Sequence, residues 1–351
     1  MKTRAAILTE PRTKLVVDEV DIPETGEDQV LVKLLSSGIC HSQLHQMENE
    51  NARCPLLLGH EGTGIVTKVG RRVSHLKEGD HAIVTWVPRI PYDGPQFQRP
   101  TGVSYMGTPL NGNQYTWAED VLVDSTFVVG IPAEYASASS CIVGCAVLTG
   151  AGAVLHTAKV RPGESVAVFG VGGVGLCSIR MAAILEAYPI IAVDLKEDKL
   201  ELARQFGATH LVNASDTDPI EAIHEITKVG ADYAFDTIGV QATNEQILPS
   251  TRAGGSGADN QGGMAVLVGL PGGNITVNSR LFVGGQRQYR GSLGATYTEK
   301  DFPMYLKLYN EGKFPLDKLV TRTYKLDQIN EACDALKGGE ILGRSIIDYT
   351  A

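Results

Sequence analysis

Residues 165–194 read SVAVFGVGGVGLCSIRMAAILEAYPIIAVD and carry the strongest structural signal in the chain. Residues 166–169 are an apolar run with the length and β-branched content of a buried parallel strand. Apolar residues at helical spacing follow over residues 174–187 and stop before Pro189. A second apolar run over residues 190–193 ends in Asp194. The order strand, helix, strand predicts one βαβ unit of a parallel sheet.

The turn between the first strand and the helix is rich in glycine. Gly170, Gly172 and Gly175 form G-x-G-x-x-G, and Gly173 and Val174 complete the motif. The first glycine permits a tight turn, the second lets a pyrophosphate approach bare backbone, and the third lets helix and strand pack closely. The free N–H groups of the helix N-terminus also favour phosphates.

Asp194 completes the predicted dinucleotide site. It follows Gly175 by nineteen residues, where an acid can accept hydrogen bonds from an adenosine ribose and repel a 2′-phosphate. The motif alone is often only a glycine-rich turn, and Asp194 could instead be the N-cap of a helix over residues 197–206. The combination of strand, motif, helix and acid favours dinucleotide binding, with NAD preferred over NADP.

Length and composition bound the alternatives. With 351 residues, 43% hydrophobic and 20% charged, the chain is expected to form two domains with separate cores. The net charge of −9 argues against a nucleic-acid partner. We expect no signal peptide, no membrane span and a cytoplasmic location. The six cysteines are then expected to be thiols or metal ligands rather than disulfides.

The spacing of apolar residues, which predicts strands and helices, changes along the chain. Up to about residue 124 it is typical of strands, with one helical patch at 42–48. Small residues at helical spacing follow over 131–152, and a helix is predicted to continue over 154–160. Strands and helices then alternate, which predicts an α/β fold with a doubly wound parallel sheet beside a β-rich domain. The early strands are predicted at 5–8, 15–19, 29–37, 62–69 and 81–84. Later strands are predicted at 210–212, 231–235, 264–268, 288–291 and 344–347, and later helices at 197–206, 219–227, 304–311 and 328–337.

The segment 252–263, RAGGSGADNQGG, interrupts this alternation. It is predicted to be a flexible surface loop, and a lid over the cofactor is the less favoured alternative.

Three residues outside the glycine motif suggest a metal site. Cys40, His60 and Cys145 offer two thiolates and an imidazole, which Zn²⁺ prefers, and three protein ligands leave a fourth position open for water or substrate. They are far apart in sequence, however, and each alone could be a buried thiol or a turn histidine.

The order of four motifs resembles a known family. G-I-C-H-S at 38–42, G-H-E-G at 59–62, C-x-x-x-C at 141–145 and G-V-G-G-V-G at 170–175 are similar to the zinc-dependent alcohol dehydrogenases of the medium-chain dehydrogenase/reductase superfamily. The resemblance covers essentially the whole chain. It implies a GroES-like catalytic domain at 1–148, completed by 294–351, and a Rossmann NAD-binding domain at 149–293. It also implies a homo-oligomer, dimer or tetramer, with 288–291 as the candidate edge strand.

The resemblance assigns roles in catalysis. Cys40, His60 and Cys145 match the ligands of the catalytic zinc, and Glu61 matches an acid that approaches the metal during ligand exchange. In the implied reaction, zinc lowers the pKa of the bound alcohol, the alkoxide gives hydride to NAD⁺, and the reverse reaction reduces an aldehyde. Residues implied around the reacting alcohol are Ser42, which takes its proton, His45, which passes the proton to solvent, and Trp86, which lines the substrate pocket.

The resemblance also assigns contacts to the cofactor. The implied set is His41 near the pyrophosphate, Thr149 on the nicotinamide side, the motif Gly170, Gly172, Gly173, Val174 and Gly175, then Asp194 and Lys199 at the adenosine ribose, Val268, and Arg344 as a second pyrophosphate contact.

Two departures from the family pattern are visible. Many relatives hold a second, structural zinc with four cysteines, but residues 87–107 contain no cysteine. We therefore predict one zinc per chain, and a lobe held by packing and turns around Pro88, Pro91, Pro95 and Pro100. Gln43 stands where the family commonly has an aspartate that accepts a hydrogen bond from the histidine ligand. A glutamine oxygen could accept that bond without the charge, which predicts a more electrophilic zinc or weaker metal binding.

Three alternative functions stay open. A polyol or other secondary-alcohol dehydrogenase often has glutamate as third ligand, and Cys145 argues against it. A zinc-free enoyl or quinone reductase would lack Cys40, His60 and Cys145. A non-catalytic relative would have lost a ligand or the Ser42 hydroxyl, and all are present.

Overall fold

The computed structural model describes residues 1–90 and 100–350. The chain divides into two compact units, one formed by residues 1–145 with 297–351 and the other by residues 146–296. Of the prolines expected to hold the lobe, Pro91 and Pro95 lie outside the described residues.

The strands and helices are numbered here in chain order. The strands are β1 (Lys2–Leu8), β2 (Val16–Asp21), β3 (Gln29–Ile39), β4 (Leu56–Leu57), β5 (Gly62–Val69), β6 (His81–Val84), β7 (Ser104–Tyr105), β8 (Thr108–Pro109), β9 (Asp120–Asp124), β10 (Val128–Ile131), β11 (Val166–Phe169), β12 (Ile190–Asp194), β13 (His210–Asn213), β14 (Tyr233–Asp236), β15 (Met264–Leu267), β16 (Gln288–Gly291), β17 (Val320–Tyr324) and β18 (Arg344–Asp348). The α-helices are α1 (His41–Glu48), α2 (Ala146–Gly152), α3 (Gly173–Ile184), α4 (Glu197–Phe206), α5 (Pro219–Thr227), α6 (Gln241–Ile247), α7 (Arg280–Gly285), α8 (Thr298–Asn310), α9 (Leu316–Leu319) and α10 (Ile329–Lys337).

The α-helices of the described residues are short, with four to thirteen residues each. No single helix among them is both long and apolar enough to cross a bilayer, and the stretch 138–158 reaches that composition only as a bent pair of helices.

The first unit is built around β3. This strand pairs antiparallel with β5, β9 and β18. The residues of β3 that are almost completely buried in a core shared with β1, β5, β6 and β9 are Val30, Leu31, Val32 and Leu34, so burial along this strand does not follow a strict alternation. The pairing of β18 places Ser345 opposite Ile39, so the tail of the chain lies beside the end of β3. This is the end at which the candidate site begins.

The second unit is a parallel sheet of order β13-β12-β11-β14-β15-β16. Every neighbouring pair in that order is parallel. The order runs outward in both directions from β11, so the direction of winding reverses next to the strand that leads into the glycine turn. Ligands of doubly wound sheets bind at such a switch point, beyond the carboxyl ends of the strands. The predicted doubly wound parallel sheet is confirmed.

The helix predicted over 131–152 is not continuous. β10 extends to Ile131, a 3₁₀ segment covers Ala138–Gly144, and α2 begins only at Ala146. Between them Cys145 has φ −146° and ψ −68°, outside the helical region. Small residues at helical spacing do not predict this break, at which Cys145 lies within 3.2 Å of His60, 85 residues earlier in the chain.

The glycine-rich segment 252–263 is tied to its surroundings rather than free. The Gly254 N–H donates to the Gly285 oxygen at 2.6 Å, and the Gly262 N–H donates to the Gln286 oxygen at 2.9 Å. Arg252 pairs with Asp232, which directly precedes β14. The segment leads into β15 and therefore lies at the amino ends of the strands, whereas Gly170 follows the carboxyl end of β11. This position argues against a lid over the glycine turn.

Candidate active site

Three loops of the first unit bring the candidate metal ligands together. Cys40 directly follows β3, and His60 and Glu61 directly precede β5. Because β3 and β5 are antiparallel neighbours with Ser37 opposite Gly62, these two loops lie side by side. The break at Cys145 adds the fourth residue of the cluster. One ligand atom from each of Cys40, His60, Glu61 and Cys145 lies within 4.8 Å of the others.

The chemistry of this cluster fits zinc. Two sulfurs and an imidazole nitrogen are the ligands of open catalytic zinc sites, and a carboxylate oxygen beside them is also a suitable ligand. Both Cys145 and Glu61 are buried, which keeps the ligands in one geometry. Cys141, one helical turn before Cys145, is not part of the cluster. Its burial raises the pKa of the Cys141 thiol to about 12, as expected of a packed thiol.

Close packing in the site requires a glycine at position 38. A Cβ at Gly38 would overlap the carboxyl group of Glu61. The Gly38 N–H also donates to the Glu61 backbone oxygen at 2.8 Å, so the two loops are joined by backbone as well as by packing. The geometry of the site therefore explains why the G-I-C-H-S motif begins with glycine.

Each thiol of the cluster changes the pKa of the other. A hydrogen bond with Cys145 lowers the pKa of Cys40 well below its usual range, with Arg344 and His60 acting in the same direction. The same hydrogen bond, together with burial, raises the pKa of Cys145. The pair therefore favours a thiolate at Cys40 over a thiolate at Cys145.

Glu61 forms a buried ion pair with Arg344. The Glu61 carboxylate is fully buried, the Arg344 side chain is 6% exposed, and Nη2 of the arginine donates to Oε1 of the glutamate. Burial opposes the charge on Arg344, but the Glu61 carboxylate and the Cys40 thiolate outweigh it and raise the pKa of the guanidinium. Sequence reasoning did not find this pair, because 283 residues separate the partners. The predicted pyrophosphate contact of Arg344 stays a prediction.

Gln43 contacts both His60 and Cys40 from a buried position. Its Oε1 accepts the Cys40 N–H at 3.0 Å, and its Nε2 faces Nδ1 of His60. The residue is 1% exposed. The expected contact with the histidine ligand is present, but the amide nitrogen makes it rather than the amide oxygen.

Ser42, His45 and Trp86 lie around the cluster. The Ser42 hydroxyl is buried and makes no hydrogen bond among the residues that the structure describes. His45 is exposed one helical turn later, on the same side of α1. The Trp86 ring packs edge-on against the ring of His60, with 6.5 Å between centroids and 69° between planes. An indole therefore borders the metal cluster, where the resemblance expects a pocket wall.

The glycine turn of the second unit has the geometry that its motif predicts. Gly170 has φ +84°, and α3 begins at Gly173 with Gly172 as N-cap. A Cβ at Gly175 would overlap the Gly170 carbonyl oxygen, so this third glycine is required for the close approach of helix and turn. A Cβ at Gly172 would meet no atom of residues 1–90 or 100–350 within 4 Å. Space is therefore open in front of Gly172, where a pyrophosphate is expected.

Asp194 holds this turn from the next strand. Its Oδ2 accepts the Val171 N–H at 2.9 Å, and its Oδ1 accepts the N–H groups of Leu195 and Lys196 at 2.8 and 3.1 Å. The N-cap of α4 is Lys196, so the alternative in which Asp194 caps that helix is wrong.

The other predicted cofactor contacts are distributed over both units. Thr149 lies on α2, with its hydroxyl buried and without a hydrogen bond among the described residues. Val268 directly follows β15, at the carboxyl edge of the sheet. Lys199 is half-buried on α4, and His41 is exposed at the start of α1 in the first unit. Their roles toward a cofactor stay predictions.

Comparison with known proteins identifies the family. Residues 26–133 match the Alcohol dehydrogenase GroES-like domain, and residues 173–311 match the Zinc-binding dehydrogenase family. The chain is 32% identical to Alcohol dehydrogenase 6 of Peromyscus maniculatus over 97% of its own length and 96% of that protein. It is 34% identical to an S-(hydroxymethyl)glutathione dehydrogenase of Escherichia coli, over 99% of this chain and 100% of that protein.

A solved structure agrees with these sequence matches. The benzyl alcohol dehydrogenase of Acinetobacter calcoaceticus is similar with a TM-score of 0.88 and 29% identity, and the match covers 99% of each chain. The GroES-like and Rossmann folds expected from the resemblance are thereby confirmed. The chain belongs to the zinc-dependent alcohol dehydrogenases of the medium-chain dehydrogenase/reductase superfamily.

Proposed function

We propose that the protein is a zinc-dependent oxidoreductase that transfers hydride between an alcohol and NAD⁺ and, in reverse, reduces an aldehyde. The cluster of Cys40, His60 and Cys145 with Glu61 carries this proposal, because it joins a complete set of catalytic zinc ligands to a buried carboxylate. The glycine turn and Asp194 in the second unit provide the features of a dinucleotide site.

The charges of the cluster are balanced for a divalent cation. The Arg344 guanidinium offsets the Glu61 carboxylate, so the two thiolates of Cys40 and Cys145 remain to offset the ion. Zinc, when bound, supplies a Lewis acid that lowers the pKa of an alcohol hydroxyl. Glu61, which is buried and paired with Arg344, lies where it can approach the ion when another ligand leaves.

Ser42 accepts the proton of the alcohol. Its hydroxyl is buried without a hydrogen bond among the described residues and stands two residues after Cys40, which supports this role. His45 lies one turn further along α1 and is exposed, so it passes the proton to solvent. A relay is needed because an active site that excludes water gives the proton no direct exit.

NAD is the proposed cofactor rather than NADP. The Asp194 carboxylate is charged and half-buried next to the glycine turn, where it would repel a 2′-phosphate. We propose five further contacts to NAD, from Lys199, Val268, Thr149, His41 and Arg344. We also propose one zinc per chain, a catalytic domain at 1–148 with 294–351, a cofactor domain at 149–293, and a homo-oligomer.

The substrate class is a small alcohol or aldehyde. The indole of Trp86 beside His60 gives the pocket an aromatic wall, which suits an apolar substrate. A polyol or other secondary-alcohol dehydrogenase is the alternative on the same scaffold. The third zinc ligand distinguishes these two functions. A thiolate, as at Cys145, favours a dehydrogenase of small alcohols, whereas a carboxylate would favour a polyol or secondary-alcohol dehydrogenase.

Metal content and coupled activity test the proposal together. Zinc per chain is measured on purified protein, and reduction of NAD⁺ and NADP⁺ is followed with a panel that includes benzyl alcohol, S-(hydroxymethyl)glutathione, ethanol and a polyol. We expect one zinc, NAD⁺ reduction that chelation abolishes and zinc restores, and little use of NADP⁺. Activity that survives complete removal of zinc would overturn the mechanism. Zinc without turnover of any alcohol or aldehyde would favour a non-catalytic relative.

A further inference from the structure

The side-chain amide of Gln43 is held in one orientation by the start of α1. Gln43 is the third residue of the helix and Cys40 is its N-cap, and the Gln43 Oε1 accepts the Cys40 N–H at 3.0 Å. This is one half of a capping box. A backbone N–H can only donate, so the amide oxygen must face Cys40 and the amide nitrogen must face the other way.

The other neighbour of this amide is the ring of His60. The Gln43 Nε2 contacts Nδ1 of that ring, and an amide NH₂ can only donate. Nδ1 must therefore be an acceptor, and the single proton of the neutral ring must sit on Nε2. This nitrogen lies 3.2 Å from Sγ of Cys145, to which it can donate.

Zinc requires the opposite tautomer. Nε2 faces the cluster, and a ring nitrogen needs a free lone pair to bind a metal, which moves the proton to Nδ1. A proton on Nδ1 would then point at the amide NH₂ of Gln43. Turning the amide over would give Nδ1–H an acceptor, but would leave the part-buried Cys40 N–H facing an NH₂ group. In either orientation, with one end of the amide at the Cys40 N–H and the other end at Nδ1, only one of the two donors faces the amide oxygen.

We propose that Gln43 is a positioning residue that holds His60 of the metal-free protein in the tautomer that cannot bind zinc, and thereby lowers zinc affinity. This inference rests on the zinc site of the proposed function. A carboxylate in the same place has two acceptor oxygens and could accept both the Cys40 N–H and the Nδ1–H. Partners of this kind change metal affinity by about 10- to 100-fold.

Zinc affinity of two glutamine-to-glutamate variants tests the inference. Metal-free wild type, Gln43→Glu and Gln328→Glu are titrated with zinc in competition with a colorimetric chelator. Gln328 is the matched control, because its Oε1 accepts the Lys325 N–H at 3.0 Å in the same capping arrangement, at a position away from any metal ligand. We expect zinc to bind Gln43→Glu about 10- to 100-fold more tightly than wild type, and Gln328→Glu to match wild type. Equal or weaker binding by Gln43→Glu would overturn the inference.

The tautomer of His60 provides a second measurement that needs no folded variant at position 43. In metal-free protein labelled with ¹⁵N-histidine, the His60 signal is identified by its loss in His60→Ala. We expect the shifts of a neutral ring protonated on Nε2, changing to the Nδ1-protonated pattern when zinc is added. Protonation on Nδ1 in the metal-free wild type would contradict the proposal.

The two failures are distinguishable. If wild-type protein binds no zinc at any concentration, the proposed function fails. If it binds zinc but the tautomer and the Gln43→Glu affinity do not follow the expectation, only the role of Gln43 fails.

Discussion

The glycine turn and the metal cluster differ in how their residues come together. In the turn, Gly170 and Gly175 contact each other five positions apart, and Asp194 reaches Val171 from 23 residues away. In the cluster, His60 contacts Cys145 across 85 residues, and Glu61 contacts Arg344 across 283. The turn is therefore specified within one βαβ unit, whereas the cluster exists only after a complete sheet has formed.

This difference predicts different responses to mutation. A substitution in the glycine turn changes contacts between neighbouring backbone atoms, and we expect it to change cofactor binding. A substitution in the metal cluster removes a ligand or a charge, and we expect it to change zinc binding. Four experiments test that separation, ordered by the size of the effect that we expect.

Removal of a metal ligand has the largest expected effect. Cys40→Ser should leave less than one zinc per chain and lower kcat/KM by at least about 1000-fold, since a Lewis acid contributes several kcal/mol to such a reaction. Binding of NADH should be unchanged within error. Zinc content, steady-state rates and a fluorescence titration with NADH measure these quantities. Cys141→Ala is the control and should keep its zinc, and an active Cys40→Ser enzyme with full zinc would contradict the assignment.

An added methyl group at Gly172 should separate cofactor binding from folding. A Cβ there meets nothing within 4 Å among the residues that the structure describes, so the free energy of unfolding should change by less than about 1 kcal/mol. The same methyl group would occupy the space of the pyrophosphate, and the NADH Kd should rise by about 100-fold, or about 2.7 kcal/mol. Gly284→Ala, also in open space, is the control. Normal NADH binding by Gly172→Ala would place the cofactor elsewhere.

Loss of the charge at Asp194 should change the choice of cofactor. Asp194→Asn keeps an oxygen that can accept a backbone N–H but no longer repels a 2′-phosphate, so the ratio of NADP⁺ to NAD⁺ efficiency should rise about 10-fold. Zinc content should stay at the wild-type value. The ratio of kcat/KM for the two cofactors is the measurement. An unchanged ratio would mean that Asp194 only holds the turn.

The smallest effect is expected at Asp232, which lies at the amino ends of the strands in the parallel sheet of the second unit. Burial opposes the charge on Asp232, but hydrogen bonds from the Ser165 N–H, Arg252 and the Ser165 hydroxyl lower its pKa. The resulting stabilisation is present above the unfolded-state pKa of about 3.9 and is lost as the pH falls through the folded-state pKa. Asp232→Asn should therefore cost about 1 kcal/mol at pH 7 and progressively less below about pH 4.

Chemical denaturation across this pH range measures that effect. NADH binding by folded Asp232→Asn should equal that of wild type, because Asp232 precedes β14 at the amino edge while Gly170 lies at the carboxyl edge. A cost that persists unchanged at low pH would contradict the role of the charge, and weaker NADH binding would contradict the separation of the two edges.

Much of the second unit could be predicted from the sequence, although α6 and α7 were not predicted. β16 and α5 have the predicted bounds, and the glycine turn has the conformation that its motif requires. Such elements are readable because apolar periodicity, proline and glycine act over a few residues. For the metal site, the sequence supplied the ligand types, and resemblance to a family was needed to join them.

Tertiary structure alone decided how those ligands are held. The break of the helix at Cys145, the ion pair of Arg344 with Glu61 and the orientation of the Gln43 amide are visible only in the folded chain. Each depends on which group of a distant residue is the nearest neighbour, and on whether that group can donate or only accept a hydrogen bond. Residue type and spacing carry no such information, since the distances are fixed only when β3, β5 and β18 pair.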